Sequence, residues 1–350
     1  MRLSRLALLL VGAALSLTAF AQDRSPVDPG AHDALVAAGP QAAHIGQLWN
    51  LTVFICTAVF CAVLLGLVFA LWRSGRARGR DDMPPDLSSL GRHERGPYLT
   101  VLWSVGVSIV LLLVLVVASV VTDRALARAS LENAVQIEVT GHQWWWELGY
   151  RGDSAADNFA AANELHVPVG RPVVLRLKAD DVIHSLWVPS LAGKKDLIPG
   201  RTTTMSFRAD RPGRYRGQCA EFCGFQHAFM AFEVIADPPA QYDAWAAAQR
   251  RPAADPADPI ARRGQAVFLG SSCVMCHAVE GTTAGARKGP DLSHVASRST
   301  IAAGTLPNRP AELARWIANP QDFKPGVNMP ATPLASDDMS ALVAYLGSLK

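Results

Sequence analysis

The chain has 350 residues, half of them apolar and 18% charged, with a formal net charge of +3 and a pI near 8.6. So small an excess, part of it gathered in one arginine-rich segment, does not describe the basic surface of a nucleic-acid-binding protein. Its cysteines fall in three close pairs, at Cys56/Cys61, Cys219/Cys223 and Cys273/Cys276, and two of those pairs carry the chemistry.

Residues 1–21 read as a secretory signal. Arg2 and Arg5 precede an apolar run from Leu6 to about Leu17, and Ala19-Phe20-Ala21 supplies small residues for cleavage. The run is short for a membrane span, although an uncleaved first span is the alternative. No cysteine follows the cleavage site to take a lipid. Residues 22–130 are expected to hold an N-terminal segment and a two-helix transmembrane hairpin, with spans at 45–72 and 98–121. Arg73, Arg76, Arg78, Arg80, Arg92 and Arg95 lie between them. The positive-inside rule puts that connector in the cytoplasm and both ends of the hairpin outside. Cys56 and Cys61 fall inside the first span and read as packing residues.

Residues 131–250 are expected to form one domain, in which the stretch from about 134 to 236 lacks a helical period. Short runs rich in Val, Leu and Phe at 134–140, 164–169, 172–178, 182–188, 202–208 and 229–235 alternate with Gly/Pro breaks. This punctuation predicts a β-sandwich or barrel followed by a short helix at 240–250. Residues 251–259, Arg-Pro-Ala-Ala-Asp-Pro-Ala-Asp-Pro, read as a stiff extended linker. From 260 to 350 the pattern turns helical, with helices at 260–269, 310–318 and 336–349. Ser336 is the expected N-cap of the last, with Asp337 and Asp338 in its first turn.

Two ligand clusters stand out. Cys273-Val-Met-Cys276-His277 is the C-x-x-C-H pattern of covalent haem attachment, with the histidine on the iron. The sixth ligand is expected from Met329, on a loop. Met339 reads as core, Met275 is trapped between the cysteines, and His294 is the rival. The second cluster is Cys219-Ala-Glu-Phe-Cys223-Gly-Phe-Gln-His227-Ala-Phe-Met230, a soft donor set suited to copper. A Cys219–Cys223 disulfide and a zinc site are the alternatives. His184, at the end of a predicted strand, is the best further ligand, whereas His142 and His166 read as ordinary strand histidines. Copper and haem in one exported chain point to electron transfer.

At these residues the chain resembles subunit II of the haem–copper cytochrome c oxidases. The matching blocks are Gly141-His-Gln-Trp-Trp-Trp-Glu147, Asp181-Val-Ile-His-Ser-Leu-Trp-Val-Pro189, Lys195-Asp-Leu-Ile-Pro-Gly-Arg201 and Gly217 to Met230. With the C-terminal haem domain appended, it resembles the caa-type subdivision, and that domain resembles class I cytochromes c. The resemblance implies a multidomain fold: a transmembrane hairpin, a cupredoxin-like sandwich and a small all-α cytochrome domain. It also implies a binuclear copper A centre bridged by Cys219 and Cys223, with His184, His227, Met230 and the Glu221 carbonyl as ligands. The Glu221 side chain would turn to a magnesium shared with the catalytic subunit. Trp144 would be the residue through which electrons reach copper. Pro290 would orient His277 through its carbonyl, and Gly264 and Phe268 would meet Tyr345.

As an oxidase subunit in the bacterial inner membrane, with its metal domains in the periplasm, the chain would accept electrons from a soluble cytochrome c. It would pass them to subunit I, where oxygen is reduced, with subunit III as a further partner. One departure is Thr100, which stands where many relatives carry a channel-mouth glutamate; Glu94 is the nearest acid upstream. A stand-alone electron carrier and a copper-delivery protein are the competing classes. Quinol oxidation is disfavoured, since it would leave the copper ligands without a use.

Overall fold

The computed structural model describes residues 32–75, 95–128, 130–152 and 154–350. The expected signal peptide, Glu94 and four of the six connector arginines (Arg76, Arg78, Arg80 and Arg92) lie outside the described residues. The chain divides into two units, one of residues 43–129 and one holding 130–350 together with the segment before residue 43.

The smaller unit carries most of two helices, α1 (Pro40–Gly75) and α2 (Arg95–Ala127), of 36 and 33 residues. Both exceed the roughly 20 residues that cross a bilayer. They are apolar on all faces, and large side chains such as Phe54, Phe69, Leu112 and Val117 are exposed along them. A helix of that kind needs an apolar medium around it, and both are long and apolar enough to span one. Their hydroxyls are satisfied within the helix: Thr52 donates to the Leu48 carbonyl at 2.9 Å and Thr100 to that of Gly96 at 3.0 Å. Thr100 therefore turns its hydroxyl back on its own helix.

In the larger unit, ten strands form two five-stranded sheets. They are β1 (Val135–His142), β2 (Trp145–Arg151), β3 (Phe159–Ala162), β4 (Glu164–Pro168), β5 (Val173–Ala179), β6 (His184–Trp187), β7 (Lys195–Leu197), β8 (Thr203–Phe207), β9 (Gly213–Cys219) and β10 (Ala231–Asp237). The orders are β3-β2-β1-β5-β8 and β4-β10-β9-β6-β7. Pairs β1/β5 and β4/β10 are parallel and the others antiparallel. Alternate residues point into the sandwich, as the period of a strand requires: Ile137 and Val139, Trp146 and Leu148, Leu175 and Leu177, Phe232 and Val234 are all buried. This is the expected cupredoxin-like sandwich.

Four strands of the sandwich, β2, β3, β7 and β9, escaped the sequence reading. The most consequential is β9, Gly-Arg-Tyr-Arg-Gly-Gln-Cys, whose inward positions are Tyr215, Gly217 and Cys219. Gly217 leaves space that the Phe232 ring fills, so its share of the core shows no apolar residue in the sequence. The segment ahead of α1 straps onto the sandwich through Ala38, whose N–H donates to Ser190 at 2.7 Å and whose carbonyl accepts from Asp210 at 2.8 Å.

Helix α3 (Pro239–Gln249) covers one end of the sandwich, stacking Trp245 on His166 at 4.1 Å. The chain then runs without regular structure to α4 (Pro259–Gly270), whose first turn the Asp258 side chain caps at Ile260. The expected linker segment lies along the last domain: Ala253 donates to the Glu280 carbonyl at 3.2 Å. Helices α5 (Pro310–Ala318) and α6 (Ser336–Ser348) complete that domain, with a two-stranded ribbon, Thr300–Ile301 against Leu306–Pro307, that the sequence did not announce.

Helices α4 and α6 cross so closely that a Cβ at Gly264 would lie 1.9 Å from the Ala341 carbonyl oxygen; only glycine fits there. Phe268 and Tyr345 meet beside it at 5.8 Å. The expected cap of α6 needs correction. Ala335 occupies the N-cap and Ser336 is the first helical residue, so no side chain caps this helix, although Asp337 and Asp338 sit in its first turn as read.

Candidate metal centres

The first cluster is assembled by two neighbouring strands and one loop. Strand β9 ends on Cys219, and the Cys219 N–H donates to the Met230 carbonyl at 3.0 Å, closing residues 220–229 into a loop. The register of β6 on β9 pairs Leu186 with Cys219, which brings His184 beside the loop. The Cys219 and Cys223 sulfurs are then 3.8 Å apart. Cys219 Sγ lies 3.9 Å from His184 Nδ1 and 3.2 Å from the Glu221 carbonyl oxygen. Cys223 Sγ lies 3.6 Å from His227 Nδ1 and 3.8 Å from Met230 Sδ. A disulfide, at about 2.05 Å, does not describe this pair. Separations of this size are those of neighbouring donors around a soft ion bonded at roughly 2.0–2.3 Å. The residues present fit a thiolate-bridged copper centre.

Two buried thiols this close do not both ionise freely. The hydrogen bond from Cys223 holds Cys219 down at about 3, ready as a thiolate, while the same contact pushes Cys223 up. His184 has no exposed side-chain surface. Burial works against its charged form, but the Asp181 carboxylate, 2.8 Å from Nε2, and the Cys219 sulfur together outweigh it and raise the pKa. With Nε2 turned to Asp181, Nδ1 faces Cys219, the tautomer a ligand needs. Asp181 also accepts from the backbone N–H of Gln143 at 2.6 Å and of Val182 at 2.7 Å. The sequence reading passed over this orienting role. Its only trace was an acid three residues before the histidine.

The tryptophan turn reaches the same loop. Trp144 Nε1 donates to the Cys223 carbonyl at 2.9 Å, and Gln143 Nε2 donates to it at 2.7 Å. Gly224, at φ +109°, lets the indole approach; a Cβ there would lie 3.1 Å from Trp144 Cζ2. Trp146, on the same buried face, sends Nε1 toward the Met230 carbonyl at 3.4 Å. Trp145 points the other way and stacks on His142 at 4.4 Å. The two set-aside histidines have ordinary partners, His142 with Glu147 and Asp180, and His166 with Asp237 at 2.7 Å. The Glu221 carboxylate is half exposed, 3.7 Å from Lys194 Nζ.

In the last domain, a 3-10 turn over Ser272–Met275 carries Cys273, and the His277 N–H donates to its carbonyl at 2.9 Å. His277 Nδ1 lies 2.7 Å from the Pro290 carbonyl, so Nδ1 holds the proton and Nε2 is free to bind a metal. Burial lowers the His277 pKa and keeps the ring neutral. Cys273, Val274, Leu292, Met329 and Met339 surround the same apolar core, a setting that fits haem. His294 is removed as a rival ligand, because its two ring nitrogens face the Lys350 and Arg251 carbonyls at 2.8 and 3.1 Å.

Comparison with known proteins agrees with both centres. Residues 152–236 match the family described as cytochrome C oxidase subunit II, periplasmic domain, and residues 261–350 match cytochrome c. Together these families imply copper A and haem c. The chain is 38% identical over 323 residues to cytochrome c oxidase subunit 2 of Alkalihalophilus pseudofirmus, covering 91% of this chain and 90% of that protein. It is 34% identical over 272 residues to the same subunit of Bacillus sp. strain PS3, covering 72% and 74%. Among solved structures, the periplasmic domain of subunit II from Bradyrhizobium japonicum aligns at 28% identity over 35% of this chain and 97% of that one, with a TM-score of 0.32.

Proposed function

The chain belongs to the cytochrome c oxidase subunit II family, and on that premise we propose a residue-level route for electrons through it. The protein is subunit II of a haem–copper oxidase, carrying a copper domain and a cytochrome c domain. When bound, haem c and copper A supply one-electron redox chemistry. The residues of the chain attach, orient and insulate these groups.

Cys273 and Cys276 would hold haem c covalently, with His277 and Met329 as the residues that would ligate its iron and Pro290 orienting His277. Cys219, Cys223, His184, His227, Met230 and the Glu221 carbonyl would hold the copper pair. Trp144 links the two, because its indole N–H touches the carbonyl of a bridging cysteine. That single contact carries the reading. A soluble cytochrome c would be the donor to the cytochrome domain, and the copper domain would deliver the electrons to subunit I, where oxygen is reduced. The exposed Glu221 carboxylate is this chain's contribution to a magnesium site shared with subunit I, and subunit III completes the complex. The two apolar helices form a hairpin in the bacterial inner membrane with the arginine-rich connector inside, which leaves the metal domains in the periplasm.

The test is purification of the complex in mild detergent with metal and haem analysis. Two coppers and one haem c per chain, a mixed-valence paramagnetic signal and a co-purifying haem–copper subunit are expected. A single copper per chain, or recovery without any such subunit, overturns the reading.

Met329→Ala tests the axial assignment. The thioethers to Cys273 and Cys276 do not involve Met329, so haem stays attached. Losing a thioether ligand lowers the reduction potential and opens a coordination position, read by redox titration and binding of an exogenous ligand. An unaltered spectrum would transfer the role to Met339.

A further inference from the structure

We propose that Lys324 is a positioning residue that seats the Met329 loop of the cytochrome domain on the tryptophan turn of the copper domain. It thereby sets the path over which electrons pass between the two. This rests on the electron route proposed above.

Lys324 is 2% exposed, a rare state for a lysine. All three of its ammonium protons are met by main-chain carbonyls: Phe229 at 2.9 Å, Trp144 at 3.1 Å and Ala302 at 3.3 Å. An ammonium has three donors and no acceptor, so three converging carbonyls select it over any neutral side chain. Two of these carbonyls belong to the copper domain, at positions that matter. One is that of Trp144, whose indole reaches Cys223; the other is that of Phe229, which precedes Met230. The third sits in the cytochrome domain, where Ala302 holds a left-handed φ of 55°.

Burying a charge without a carboxylate partner is costly, and here the three carbonyls offset that cost by accepting every ammonium proton. What the ammonium adds is direction, since it aligns three carbonyls from two domains on one point.

The loop transmits that alignment. Lys324 N–H donates to the Pro320 carbonyl at 2.9 Å and Val327 N–H to that of Lys324 at 3.0 Å. Gln321 braces the same turn through the Gly326 N–H at 2.7 Å and the Val327 carbonyl at 2.8 Å. A displacement of Lys324 is therefore passed on toward Met329. At the rim, Asn328 Nδ2 donates to the Gln143 carbonyl at 3.2 Å and Gln226 donates to that of Pro325. The tryptophan turn is thus gripped at two consecutive carbonyls, Gln143 and Trp144.

The experiment uses the intact oxidase complex carrying Lys324→Met, which keeps the length and removes the donors. Haem c is reduced by a photo-activated reductant, and its internal reoxidation by copper is followed optically. Pulsed dipolar paramagnetic resonance reports the distance distribution between the oxidised haem and the copper pair. The native protein should show fast transfer and a narrow distribution. In the variant the internal rate should fall by about tenfold or more, equivalent to about 1.4 kcal/mol of barrier, and the distribution should broaden. The separate haem and copper spectra, the KM for cytochrome c and turnover with a reductant that feeds copper directly should stay native, which a general loss of folding would not allow.

A native rate and a native distribution in Lys324→Met overturn the proposal and leave the electron route standing. Absence of internal transfer in the native complex overturns both. Where Lys324→Met does not accumulate, Asn328→Ala is read by the same two measurements. It should slow transfer to a smaller extent, and no change in either measurement overturns the proposal.

Discussion

Cys223→Ser is expected to abolish copper A and, with it, turnover driven by cytochrome c, while leaving haem c attached and its potential unchanged. The reason is the place of this sulfur in the site. Cys223 Sγ lies within 3.8 Å of the Cys219 sulfur, His227 Nδ1 and Met230 Sδ, whereas Met230 Sδ lies close to Cys223 alone. Replacing a soft thiolate with a hydroxyl removes the donor that both coppers share. Met230→Leu removes one thioether from the edge of the cluster and fills similar volume, so copper should be retained with a shifted potential and reduced turnover. Copper content, the mixed-valence signal and steady-state oxygen consumption measure the contrast. Equal losses in the two variants would contradict a bridging role for Cys223.

Trp144→Phe is expected to keep both coppers and the fold but to slow reduction of the copper pair by haem c by well over an order of magnitude. Phenylalanine keeps an aromatic ring in a site that is 6% exposed and removes the indole N–H that reaches the Cys223 carbonyl. Alanine is the less useful change, because emptying a buried tryptophan site costs about 3–5 kcal/mol in its own right. Rapid-mixing measurement of copper reduction, with the paramagnetic signal as the control for an intact site, gives the result. A native rate in Trp144→Phe would move the route to Trp146, whose Nε1 faces the Met230 carbonyl at 3.4 Å.

Much of this was legible before any coordinates. The haem motif and the copper loop are local: five residues in one case and twelve in the other contain nearly the whole ligand set, so spacing alone betrays them. His184 was found because it stands at one end of a predicted strand, where it opens β6, and Pro290 because of the resemblance to class I cytochromes. The apolar spans and the short helix over Pro310–Ala318 follow from composition and periodicity, which are properties of neighbours in the chain. Where the reading missed β9, a distant residue had taken over a local task. Strand β9 hides its inward face behind Gly217 because Phe232 supplies the missing bulk from β10. Ser336 is not a cap because Ala335 takes that position and the serine enters the helix.

What the sequence determined by itself is the inventory: two membrane-length helices, a sandwich bearing soft ligands, and a helical domain bearing a haem motif. Only the tertiary structure decided how the parts are joined. Asp181 orients His184, Trp144 touches Cys223 from 79 residues away, and Lys324 collects carbonyls 180, 95 and 22 residues distant. The Trp144 and Lys324 contacts use main-chain carbonyls, which every residue type carries, so nothing in the letters of the sequence marks which carbonyl will be used. Folding chooses them by bringing distant segments into register, and electrons are proposed to follow the path so made.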